Sequence, residues 1–362
     1  MNSINKKIAL ALAAVAACGG AAASESYDLR YAPGVGGADM SAPFEGGWVL
    51  QVPAYVYSGN VRSTTSVTTP FSSLGVGLTS GSATTTIKSN QQINVYGLLP
   101  RLSYMSGKTF LGATIGGTVL VPLLNKKIST SVTGVSTTTS DSPADAATTA
   151  YLQSAVNTAA TASATTAAAG NSNSAGGIGD VEISPILRWS TDTSQTLFIM
   201  TVVTPTGDYE ASRAANPSAG KFWTIRPAVQ YSYIGDGWDV AGRAAYSYNT
   251  TNTESHYRTG NYVNVDFALM KSLGDSTRLG LAGYAVDQVT RDTRKDTPTD
   301  TIIQARQAVT LDEKGHVYGI GPEFAYIHGA GDFLIDGRLM KEFAAEYRPK
   351  GFTAFLTLSK PF

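Results

Sequence analysis

FWTIRPAVQYSYI (222–234) is followed by GDG (235–237) and then WDVAGRAAYSYN (238–249). In the first run Trp223, Ile225, Val229, Tyr231 and Tyr233 alternate with Thr224, Arg226, Gln230 and Ser232. In the second, Trp238, Val240, Ala244, Tyr246 and Tyr248 share one face, with Asp239, Arg243, Ser247 and Asn249 opposite. Two period-2 runs split by a Gly-Asp-Gly cluster read as a β-hairpin. One face is apolar with aromatics towards both ends, and the other is largely polar. That is the pattern of a strand pair whose outer face meets lipid and whose inner face meets a polar lumen.

The same alternation extends outward to about twelve strands: 46–60, 90–105, 108–124, 178–190, 195–206, 220–234, 237–250, 260–273, 276–290, 316–328, 332–343 and 351–362. It is blurred in the second, fifth and ninth. Short connections at 106–107, 191–194, 235–236, 274–275 and 329–331 alternate with long ones at 61–89, 125–177, 207–219, 251–259, 291–315 and 344–350. Tight turns at one end and long loops at the other mark an up-and-down antiparallel β-barrel of the outer membrane. The expected fold is therefore an all-β transmembrane barrel over 46–362, with outer-membrane lipid around it.

Composition agrees. Only 15% of the 362 residues are charged, against about 25% in ordinary soluble domains. Mean hydropathy is −0.04. The longest apolar run, Ile8–Cys18, has 11 residues, short of the roughly 20 a spanning helix needs. Basic and acidic residues balance at 27 each, so no basic surplus points to a nucleic-acid partner.

Lys6, Lys7, the apolar stretch from Ile8 and Ala21-Ala22-Ala23 have the order of an export signal over 1–23. Val15-Ala16-Ala17-Cys18 also resembles a lipoprotein box, which makes Cys18 a candidate for lipidation. Residues 24–45 then read as a periplasmic N-terminal segment. Segment 61–89 is Ser/Thr/Gly-rich and reads as loop or polar hairpin. Within 125–177, Ser142-Pro143-Ala144-Asp145 looks like a helix start, with Ser142 as N-cap and Asp145 as the returning carboxylate. An Ala-rich helix is expected over about 143–168, folded into the barrel mouth or lying outside it.

No motif for catalysis, metal or cofactor emerges. Gly107-Lys108-Thr109 lacks the leading Gly of a phosphate loop, since Leu102 stands there. His256, His316 and His328 are far apart, and no third group completes a Ser–His site. Cofactors and metals are expected to be none, and the protein is expected not to be an enzyme.

The inward faces carry Glu182, Arg188, Arg226, Asp239, Arg243, Asp266, Arg278, Asp336, Arg338 and Glu342. An Arg or Lys on the lipid face near the midplane costs about 2–4 kcal/mol, so these belong in the lumen. Mixed signs suit cross-bracing of the wall better than a single-sign filter. Arg226 and Arg243 fall as near-diagonal neighbours and need carboxylates, with Glu182, Asp266 and Asp336 as candidates. Tyr55, Phe110 and Tyr284 are expected to add apolar contacts in the lumen. The final strand alternates and stops at Phe362, an aromatic terminus of the kind the barrel-assembly machinery reads.

Several residues carry a family likeness: Gly177-Ile178-Gly179-Asp180, Pro185, Trp189, Pro205-Thr206-Gly207-Asp208-Tyr209, Asn216-Pro217, Trp223, Pro227, Tyr257-Arg258-Thr259-Gly260, Gly321-Pro322 and Pro361-Phe362. In this order the set resembles the outer-membrane family named for the meta-pathway of phenol degradation. Phe44-Glu45-Gly46-Gly47 stands where that family usually has Pro-Pro-Gly, and the Ala/Thr stretch between 128 and 176 is atypical. The resemblance implies a channel that takes up small hydrophobic or aromatic compounds. About twelve strands imply a narrow, partly plugged path. A structural or adhesive barrel with a filled lumen is the alternative, and an outer-membrane hydrolase a further one.

Overall fold

The structure, a computed structural model, describes residues 27, 29–42, 46–74, 78, 80–142, 144–296, 311–329 and 331–362. The export signal over 1–23 and Cys18 lie outside the described residues. The chain forms a closed antiparallel barrel of 12 strands. They are β1 (Gly47–Pro70), β2 (Ser82–Leu98 continuing as Arg101–Phe110), β3 (Ala113–Leu120 continuing as Leu123–Ser140), β4 (Asn173–Ile178 continuing as Glu182–Ser190), β5 (Ser194–Val203) and β6 (Thr224–Gly235). Then come β7 (Trp238–Asn249), β8 (Tyr262–Leu273), β9 (Thr277–Gln288), β10 (His316–His328), β11 (Phe333–Glu346) and β12 (Lys350–Pro361). Each strand pairs with the next, and β12 closes on β1 with Val49 opposite Pro361 and Asn60 opposite Lys350.

The three two-part strands bend where Pro100, Pro122 and Gly179 fall side by side. A proline cannot donate to the ladder. The carbonyls nevertheless stay paired: Leu99 N donates to Pro53 O at 2.8 Å, Val121 N to Pro100 O at 3.0 Å and Gly179 N to Pro122 O at 2.8 Å.

Turn chemistry sets the short end. Leu111-Gly112 and Asp236-Gly237 are two-residue turns with both φ positive, the geometry that matches strand twist. The first lies five residues beyond the turn expected at 106–107. Those residues instead occupy an irregularity in the β2–β3 pairing between Met105 and Thr109. The shift moves Phe110 from the third strand to the end of the second. There it is 56% exposed at the turn, so the expected lumen position for Phe110 is corrected.

The outer end departs further from expectation. β1, β2 and β3 run past the barrel as a three-stranded extension through 61–70 and 82–89, which form the polar hairpin, one of the two readings of that segment, and through 125–140, expected to be loop. Threonine suits strands because its branched Cβ packs on a pleated surface. Hydroxyl pairs such as Ser66–Thr86 and Thr68–Thr84, both 2.8 Å, bridge the strands. Helix α1 (Ala146–Gly170) packs on this sheet through Val156 and Ala160 against Phe71 and Ala83, and Ala164 against Ile87. Ala83 and Ile87 share the face of Ile93 and Val95, so α1 sits on the lumenal side of the extension. Its N-cap is Asp145, which accepts from Thr148 N at 2.8 Å, and not Ser142. Ser142 bonds Thr149 Oγ1 instead.

Residues 24–45 were expected in the periplasm. Residues 29–42 instead run inside the barrel, from Arg30 beside Asp180 near the outer end to Met40 and Ser41 near the turns. The sequence Pro33-Gly34-Val35-Gly36-Gly37-Ala38 is small enough to thread a twelve-strand lumen. Gly34 has φ +78°, and a Cβ there would stand 2.4 Å from Met340 Cε.

Candidate functional site: the lumen and its cavity

The inserted segment is bonded to the barrel wall along its length. Its middle, from Gly34 to Ala38, is fastened to the β8–β11 wall, while its two ends reach the other wall: Arg30 pairs with Asp180, Asp39 with Arg101, and Met40 O accepts from Gln195 and Gln230. Gly34 N donates to Asp266 Oδ1 at 3.1 Å and Ala38 N to Glu323 Oε1 at 2.7 Å. Arg338 Nε donates to Gly34 O at 2.9 Å. Arg338 itself is held by Asp336 and, at 3.4 Å, by Glu323. Tyr31 OH reaches Asp266, which also pairs with Arg243 at 2.6 Å. Asp239 pairs with Arg278 lower on the same side of the barrel. Met270, Tyr284 and Met340 are buried against the segment.

This wall explains much of the charge expected in the lumen. Asp239, Asp266, Arg278, Asp336 and Arg338 brace the wall or hold the segment. Tyr284 belongs here too, with its OH 2.8 Å from Glu342 Oε1 and 3.1 Å from Thr353 Oγ1.

The opposite half of the lumen holds a cavity of about 290 Å³. Tyr55, Glu182, Arg188, Arg226, Arg243 and Glu342 line it. Arg226 Nη1 lies 3.3 Å from Glu182 Oε2, and its Nε donates to Ser247 Oγ at 3.0 Å. Arg243 stands opposite Gln230 in the ladder, further from Arg226 than the near-diagonal placement expected from sequence. The Tyr31 ring lies between the two arginines, 5.3 and 5.9 Å from their guanidinium carbons. Tyr55 stacks on Phe355 with centroids 4.9 Å apart.

The rest of the cavity wall is apolar. Ile93 and Leu99 of the β2 wall, Leu120 and Leu124 of β3, and Leu197 and Ile199 of β5 all face inward. Sequence reasoning overlooked these residues because a lumen was expected to be polar. The signal was present: β2 and β5 are strands whose alternation is blurred, since both faces carry aliphatic side chains. Arg30, Asp39, Arg101 and Glu323 were also missed. The first two lie on the segment assigned to the periplasm.

The family motifs surround the cavity's outer rim. Asp180 accepts from Gly207 N at 3.0 Å and Ser218 Oγ at 2.7 Å, and pairs with Arg30 at 3.2 Å. Asp208 Oδ2 accepts from Ile178 N at 3.0 Å. The 204–223 loop is thereby folded down on the barrel, with Ala214 and Ala215 packed on Tyr27, Ile93 and Ile128.

The lipid-facing surface completes the picture. Val229, Leu279, Leu339 and Leu356 are exposed between the barrel ends. Aromatics flank them, including Trp48 and Trp238 at the turn end and Trp223 and Tyr248 at the loop end. Such a belt requires hydrocarbon around it. The protein is a transmembrane β-barrel of the outer-membrane class.

More particularly, the chain belongs to the family described as the MetA-pathway of phenol degradation, whose model matches residues 75–358. Its fold is similar to that of the COG4313 outer membrane channel from Pseudomonas putida F1. That likeness has 14% identity, covers 92% of this chain and 100% of that one, and has a TM-score of 0.56. A monoaromatic hydrocarbon channel, CymD, matches at 9% identity over 95% of this chain and 98% of its own, with a TM-score of 0.39. A Pseudomonas aeruginosa FadL homologue matches at 8% identity, 90% and 92% coverage and a TM-score of 0.38. No curated protein matches the chain.

Proposed function

We propose that the protein is a channel for the uptake of small, largely hydrophobic or aromatic compounds across the outer membrane. The observation that carries this reading is the apolar wall of Ile93, Leu99, Leu120, Leu124, Leu197 and Ile199 inside the lumen. Leu99, Leu120 and Leu124 pack in one cluster with Val35 of the inserted segment, and Ile93 packs on Ala214 and Ala215, whereas Leu197 and Ile199 belong to no buried cluster and keep an aliphatic face on the cavity, where an apolar ligand would be buried favourably. Family membership and the fold of the Pseudomonas putida channel support the same reading.

In this reading the chain is exported through residues 1–23. The barrel-assembly machinery recognises the last strand and Phe362. The protein carries ligand and does no chemistry on it. Single-channel recording in planar bilayers tests the function. Discrete conductance steps that benzyl alcohol blocks are expected. An absence of both conductance and ligand binding would favour a structural barrel instead.

A further inference from the structure

The charges of the lumen are sorted across the inserted segment. Behind it, on β7–β11, carboxylates outnumber cations: Asp239, Asp266, Glu323 and Asp336 stand with Arg278 and Arg338, and Arg243 and Glu342 of the same strands face the cavity. In front of it the balance reverses. Among the described residues, Arg30, Arg101, Lys126, Arg188, Arg226, Arg243 and Arg348 line the cavity, against Asp39, Asp180, Glu182 and Glu342. Those carboxylates are all engaged. Asp39 pairs with Arg101 at 2.8 Å, Asp180 with Arg30, and Glu182 with Arg226. Glu342 accepts from Tyr57 OH at 3.0 Å, Tyr284 OH and Gly351 N.

A second observation concerns Arg226: Arg30, Arg101 and Arg348 each leave Nε without a partner among the described residues, but Arg226 leaves a terminal amino group, with two N–H donors, unpartnered. A guanidinium carries five N–H donors. Arg226 spends Nε on Ser247 and Nη1 on Glu182, while Nη2 has no hydrogen-bond partner among the described residues. Its side chain is only 6% exposed. A buried donor pair without an acceptor is costly unless something occupies it. Arg226 stands opposite Thr201 in the β5–β6 ladder, beside the apolar run that includes Ile199 and Val203. The cavity thus has an aliphatic flank and a cationic end in direct contact.

Taken on the uptake reading above, we infer that the cavity is a binding site for amphiphilic anions: an aromatic body bearing a carboxylate, with the body on the β2–β5 wall and the head at Arg226. Arginine suits this role because its planar donors match a carboxylate, and a low-dielectric cavity strengthens the attraction. A cationic lining is also how pores favour anions.

The experiment compares benzoate, benzyl alcohol and benzylammonium as blockers of the unmodified protein and of Arg226→Gln in planar bilayers. Benzoate is expected to half-block at a concentration about tenfold below the other two. Arg226→Gln is expected to remove that advantage, so that benzoate and benzyl alcohol half-block the variant at similar concentrations. The unmodified channel is also expected to pass chloride over potassium in a salt gradient. This measurement stands even where the variant fails to show the heat-dependent gel mobility of a folded barrel. Equal block by benzoate and benzyl alcohol, or potassium preference, overturns the anion site while leaving hydrophobic uptake intact. Conductance that none of the three affects overturns both.

Discussion

Asp266 joins the wall of the barrel to the chain that fills it. One carboxylate oxygen accepts from Gly34 N at 3.1 Å, and the other lies 2.6 Å from Arg243 Nη2. Asp266 is fully buried. A single side chain therefore holds the inserted segment and neutralises an arginine that faces the cavity.

Asp266→Ala is expected to loosen the segment and to leave Arg243 without its partner. Removing one member of a buried pair costs roughly 3–5 kcal/mol. The thermal midpoint of the barrel should fall, and single-channel conductance should rise because the segment no longer blocks half the lumen. Asp266→Asn keeps an acceptor for Gly34 N and should lie between the two. Conductance unchanged in Asp266→Ala would show that the remaining bonds, among them those of Glu323, Arg338, Asp180 and Arg101, hold the segment without Asp266.

Arg226 gives a second test, this time of stability. Its carboxylate partner is Glu182, not Asp266 or Asp336. The Glu182 side chain is 21% exposed, so Arg226→Ala should cost about 3 kcal/mol, the low end for a buried pair. Adding Glu182→Gln should restore part of the lost thermal midpoint, since the orphaned carboxylate is then gone. A double variant no more stable than Arg226→Ala would mean that the pair contributes little and that Ser247 is the partner that matters.

The barrel was legible because its strands report their two environments separately. In β6, lipid on one side and polar lumen on the other write a strict alternation, and the Gly-Asp-Gly turn breaks it cleanly. Where the lumen is apolar, as at Leu197 and Ile199, the alternation fades, and the most informative wall of the cavity was read as poor signal. The inserted segment was illegible for another reason. Val35, Gly36, Gly37 and Ala38 have no period, and their burial comes from partners about 230 to 300 residues away, such as Asp266 and Arg338. The extension was hidden by its composition. Ser and Thr serve loops and strands alike, and only the cross-strand pairing decides between them.

The helix on the extension should respond to acid. Asp145 accepts from the Thr148 amide and hydroxyl at the start of α1, and these bonds hold its carboxyl below the usual range. A depressed folded-state value means the cap contributes fully above the unfolded pKa, about 3.9. The contribution is lost as pH falls below that and through the folded-state value. Hydrogen exchange of the amides over 146–150 should therefore be faster at pH 3 than at pH 6 after correction for intrinsic rates. Asp145→Ala should exchange fast at both, and Asp145→Asn should be protected at both because its amide oxygen still caps. Equal protection of the unmodified helix at the two pH values would remove the capping role from Asp145.

Phe362 tests the reading of the chain's end. Its backbone closes the barrel: Phe362 N donates to Trp48 O at 3.0 Å, and Trp48 N donates to Phe362 O at 3.3 Å. Its ring, 69% exposed, contributes little to that closure. The two roles separate on substitution. Phe362→Ala keeps both backbone bonds, so the purified chain should refold in detergent with the heat-dependent gel shift of the unmodified protein. Deleting Phe362 removes them and should lower the refolded fraction. In cells, recognition of Phe362 by the assembly machinery, as proposed above, would make Phe362→Ala itself lower the folded protein in the outer membrane. An added charge explains none of that loss, and the missing apolar contact at the interface is small. Phe362→Tyr should restore assembly in cells. Normal cellular levels of folded Phe362→Ala would mean that the last residue serves only to close the ladder against Trp48.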